Sequence, residues 1–128
     1  MTRQRSRPDA ERGSAAVEFA LVAPLVLVIA LAVVQLAFAL HVRATLVAAA
    51  AEGARVAARA DGGAAAGIRR TREVLADNVA AGAVGDITAA MTSSEGLAVA
   101  EVRVTAHVPL LGLLGPTAMT VAGHSVLE

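Results

Sequence analysis

The hydrophobic positions of this chain change their period twice. From Phe19 to Leu40 they are nearly continuous: 22 residues carry no charge and one strongly polar side chain, Gln35. As a helix this run is about 33 Å long, enough to cross a hydrocarbon core of roughly 30 Å. From His41 onward polar residues return at helical spacing. Glu52, Arg55 and Arg59 form one stripe, and Leu46, Val47, Ala50, Ala54 and Ala57 offer a flat apolar side. The segment is dense in alanine, the strongest helix former. The two stretches therefore join into one helix from about 15 to 60, which Asp61-Gly62-Gly63 stops. A second helix is predicted over 64–81. Ile68, Leu75 and Val79 form its apolar face, while Arg69, Arg70, Arg72, Glu73 and Asp77 point away.

After a loop at 82–86 the period falls to two. Ile87, Ala89 and Met91 alternate in a strand over 86–92, and Ser93-Ser94-Glu95-Gly96 is a turn. In a strand over 97–108, Val102, Val104, Ala106 and Val108 oppose Glu101, Arg103, Thr105 and His107. Leu97 and Val99 are out of phase with that set, which predicts a bulge near Ala100. Pro109 to Pro116 reads PLLGLLGP, neither strand nor full helix. Its four leucines fit a contact with a partner subunit or the membrane surface, or a loop folded over a small core. The last strand is predicted over 117–127. The fold class is α+β: a long N-terminal helix whose first half is transmembrane, a second helix, and a small three-stranded antiparallel sheet. A domain of this size is marginal alone, so it is expected to lean on the long helix or on other subunits.

Composition narrows the function. Net charge is zero, so no nucleic-acid partner is implied. The absence of Cys removes disulfides, zinc thiolates and thiol nucleophiles. Both aromatic residues, Phe19 and Phe38, lie in the apolar helix. His41, His107 and His124 match no metal-ligand spacing, and no phosphate-cradling or nucleophile motif is present. His107 and His124 are placed to face each other across adjacent strands, as a surface pair. No catalytic residue, cofactor or metal is expected, and the chain is not expected to be an enzyme.

The N-terminal segment 1–13 carries Arg3, Arg5, Arg7 and Arg12 against Asp9 and Glu11. Basic residues beside a first membrane helix hold that side in the cytoplasm. This predicts a cytoplasmic N-terminus, a transmembrane helix over 14–40 and an extracytoplasmic domain over 41–128. Three readings of the apolar run stand at this point. It is a secretory signal cut after Ala39, although its length exceeds the usual 7–15 residues. It is a plain signal anchor. Or it is a prepilin-type signal cut after Gly13, which leaves the helix on the mature chain. In the third reading Ser14 becomes the first residue and Glu18 the fifth, four apart on one helix face. The new α-amino group is a cation near neutral pH. Glu18 could neutralise it, in its own subunit or in the next one of a filament. Pro24 lies inside the apolar helix and is expected to bend it.

The string from Gly13 through Glu18 and Phe19 to Pro24, GSAAVEFALVAP, resembles the start of TadE-like proteins, minor pilins or pseudopilins of tight-adherence (Flp-type) pilus systems. A second block, AAAAEGARVAA over 48–58, resembles the same family. The resemblance is good over 13–60 and loose elsewhere. It implies a processing site made of Gly13, Ser14, Glu18 and Phe19, with cleavage by a prepilin peptidase between Gly13 and Ser14. The partners it implies are that peptidase, other pilin and pseudopilin subunits, an inner-membrane assembly platform and membrane lipid. In the leader, arginines stand where prepilins more often carry lysines, and Ser14 stands where many type IV pilins begin with Phe.

Overall fold

A computed structural model describes residues 8–79, 82–109 and 116–128. Its elements run α1 (Pro8–Ala57), α2 (Ala64–Asn78), β1 (Val84–Ser94), β2 (Leu97–Pro109) and β3 (Pro116–Val126). The α+β expectation is met: a long apolar N-terminal helix, a second helix and a three-stranded antiparallel sheet in the order β1-β2-β3. The chain divides into two compact units, Met1–Leu36 and Ala37–Glu128.

The first unit contains only the start of α1. Its apolar side chains are open to the surroundings: Phe19 is 74% exposed, Leu21 73% and Leu27 69%. Among the described residues α1 is the one helix long and apolar enough to cross a membrane. The helix begins before the expected position 15, at Pro8, where a missing N–H costs nothing because the first turn has no acceptor for it. It continues on both sides of Pro24.

The second unit has a core. Leu46, Ala49, Ala50 and Ala54 of α1 pack with Leu75 of α2 and with Ile87, Val102, Val104, Ala106 and Val121 of the sheet. The buried α1 positions recur at three and four residues, as one face of a helix requires. Val47, expected on that face, is 41% exposed instead, because it is one position round from Leu46. Small residues let the backbones approach. A Cβ on Gly53 would overlap the Thr71 hydroxyl, and one on Gly123 would overlap the Ala50–Ala51 peptide. Thr71 is fully buried and donates its hydroxyl to Gly67 O at 2.9 Å, so its polar atom is satisfied.

The ends of the elements follow local chemistry. Past Ala57, the Gly63 N–H bonds Ala57 O at 3.0 Å, and Gly63 has φ of 93°, a conformation glycine adopts without strain. Helix α2 stops at Asn78, where Val79 turns extended, short of the expected 81; residues 80–81 lie outside the described set. Ser94 pairs with Leu97, and Glu95 and Gly96 both have positive φ, the two-residue turn that matches strand twist.

The bulge is not near Ala100. There the register is continuous, with Met91 and Ser125 on either side. Inward alternation also runs unbroken through Ala100, Val102, Val104, Ala106 and Val108. Leu97 and Val99 simply lie on the other face, where Val99 pairs with Thr92 and Val126 and is buried while Leu97 is exposed. The register shift lies in β1 instead, between Val84 and Ile87. The leucine loop, 110–115, lies outside the described residues.

Candidate functional site

The segment singled out for processing lies on α1. Gly13, Ser14, Glu18 and Phe19 are all helical and exposed. The four-residue spacing stacks Ser14 beneath Glu18, and the Ser14 hydroxyl donates to Glu18 Oε1 at 3.3 Å. Two of the predicted residues are thus brought into direct contact. Reading Ser14 only as a future terminus leaves out this hydroxyl contact, for which the i, i+4 spacing is the sequence signal. A cut between Gly13 and Ser14 would release an α-amino cation on the same residue that already touches the carboxylate.

Gly13 is helical yet poorly suited to a helix, costing about 1 kcal/mol relative to alanine. A Cβ placed there would meet nothing within 4 Å, so no packing contact requires a glycine at this position. The peptide bond that would be cut therefore lies at the least helix-favouring residue of the segment, where local unwinding is cheapest. Phe19 and the residues after it present an open apolar surface, suited to lipid or to the apolar helix of another subunit. Arg3, Arg5 and Arg7 lie outside the described residues.

The other candidate groups end up elsewhere. His107 and His124 do not face each other. The β2–β3 register pairs His107 with Ala118 and His124 with Glu101. That register is set by inward residues such as Val104 and Val121, which pair directly. The His124 ring nitrogen Nε2 lies 2.9 Å from Glu101 Oε2, and Arg103 donates to Glu101 Oε1 at 2.8 Å. The hydrogen bond from His124, with the nearby Arg103 charge, holds the Glu101 carboxyl below its usual range. Of the arginine cluster, Arg70 reaches Glu52 at 3.5 Å and Glu73 at 3.6 Å. Such solvated pairs contribute roughly 0–1 kcal/mol; the first links α2 to α1 and the second lies within α2.

With this geometry in place, one known family can be set beside about a third of the chain. Residues 13–55 match the model of the TadE-like protein family. Comparisons with curated proteins and with solved structures find no match. The TadE-like match begins at Gly13, takes in Ser14, Glu18, Phe19 and Pro24, and ends within the alanine-rich half of α1. A TadE-like segment associates the chain with tight-adherence (Tad) pili, and its exposed apolar helix suggests a membrane anchor.

Proposed function

We propose that this chain is a minor pilin or pseudopilin of a tight-adherence pilus system, a structural subunit and not an enzyme. Its first helix inserts in the membrane with the N-terminus in the cytoplasm. A prepilin peptidase removes the leader after Gly13, and the mature chain then docks with other pilin and pseudopilin subunits on an inner-membrane assembly platform. The observation that carries this reading is the TadE-like match starting at Gly13, together with the Ser14–Glu18 contact that a cut there would convert into an ion pair. Burying an unpaired carboxylate at the centre of a membrane helix costs roughly 2.5–3.5 kcal/mol, less near its end. A neighbouring α-amino cation, in the same subunit or the next, offsets that cost and gives assembly a register.

The test is the N-terminal residue and intact mass of the protein from its own cells, for the native chain and for Glu18→Ala. The expected result is Ser14 as first residue in both, with pilus assembly impaired in the variant. A mature native protein that retains the leader would identify an unprocessed anchor and overturn the reading; normal piliation by Glu18→Ala would remove the neutralisation step from it.

A further inference from the structure

The second unit contains a cavity of about 290 Å³ that the pilin reading does not use. It opens between α1, the end of α2 and the end of β2. Phe38 and Val42 form one wall, and Val79 and Val108 contribute from the other elements. Two of its polar liners are turned to backbone: the Thr45 hydroxyl donates to His41 O at 3.1 Å and the Asn78 amide to Val74 O at 2.8 Å. Most of the lining that remains is apolar. His41 and His107 also line it, both exposed to solvent, and supply N–H donors at its polar side.

The geometry points to an acyl chain of a membrane lipid as the occupant. Three observations favour it. Phe38 belongs to the apolar run that ends at Leu40, and Val42 follows one turn on, so one wall of the cavity is drawn from the last residues of that run. The volume lies near the lower end of small-molecule sites, roughly 300–1,000 Å³, which suits part of one tail and not a whole lipid. The imidazoles offer donors to ester or phosphate oxygens, where an acyl chain joins its headgroup. The mechanical consequence is that a seated tail would tie α2 and β2 to the bilayer surface until the subunit is withdrawn from it. This inference rests on the reading of α1 as a membrane helix.

The experiment uses the full chain reconstituted in phosphatidylethanolamine vesicles that contain a phospholipid with a diazirine at the end of one acyl chain. Labelled residues are mapped by mass spectrometry after irradiation. Labelling is expected on 19–36 from the membrane span and also at Val79 and Val108, which sit on α2 and β2. Filling the cavity with Ala83→Trp, or from the opposite wall with Val42→Trp, is expected to reduce labelling at Val79 and Val108 to background and leave that on 19–36 unchanged. Labelling confined to 19–36 in the native chain would overturn the lipid site and leave the membrane helix standing. Labelling nowhere would overturn both. Persistent labelling at Val108 in both filled variants would also overturn the site.

Discussion

At the scale of single residues, the informative positions are those where a small or polar group stands against the local pattern. Gly53 and Gly13 show this by contrast. Both are helical glycines, and each would gain about 1 kcal/mol of helix propensity on change to alanine. At Gly53 the added Cβ runs into Thr71 and lies 2.8 Å from Gly67 O; at Gly13 it meets nothing. Overpacking costs typically about 1–3 kcal/mol. Gly53→Ala is therefore expected to lower stability on balance, and Gly13→Ala to leave it unchanged or raise it. Urea unfolding followed by circular dichroism in detergent compares the two. A Gly53→Ala protein as stable as Gly13→Ala would mean that α1 and α2 do not approach as closely as the glycine contact implies.

Elements are joined by pairs that cross between them. Glu101 of β2 and His124 of β3 are register partners on the open face of the sheet, flanked by Arg103 and by the Thr105–Thr120 hydroxyl pair at 3.3 Å. The Glu101 carboxyl is lowered in the folded state, first by its bond from His124. A depressed folded value means the contribution to stability is fully present above the unfolded glutamate pKa, about 4.3. It is lost as pH falls through the lower folded value. Glu101→Gln is expected to flatten that part of the acid limb of stability against pH, leaving the other carboxylates to account for what remains. A thermal-melting series from pH 7 down to pH 3 on both proteins reads it; superimposable acid limbs would show that the pair contributes nothing. The element scale also shows why hairpin β1–β2 was readable and α2's end was not. Glu95-Gly96 announces its turn through glycine, whereas the stop after Asn78 comes from Val79 leaving the helix, a residue with no stop signal of its own.

For the whole molecule, burial divides the chain where hydropathy alone does not. Apolar residues of 17–36 are exposed, while smaller and fewer apolar residues of 46–58 are buried. Among the described residues the apolar side chains of 17–36 are left uncovered, which fits contact with lipid or another subunit. The full-length protein is accordingly expected to stay in the membrane fraction through an alkaline carbonate wash and to leave it only with detergent. Release by carbonate would argue against a spanning helix.

Hydropathy period alone determined the elements, their order and the α+β class, because side-chain burial imposes periods of 3.6 and 2 wherever one face is covered. That Ser14 and Glu18 share one helix face was equally legible, since they lie four residues apart and helix geometry fixes their relation. Only the tertiary structure decided the β2–β3 register, which gave His124 to Glu101 instead of His107, and the position of the bulge at the start of β1. It also decided which glycines are contact points: Gly53 and Gly123 look like any helix or strand glycine until the Thr71 hydroxyl and the Ala50–Ala51 peptide lie against them. These outcomes depend on residues far apart in the chain meeting at van der Waals distance, and local pattern carries no record of which distant surface a face will meet.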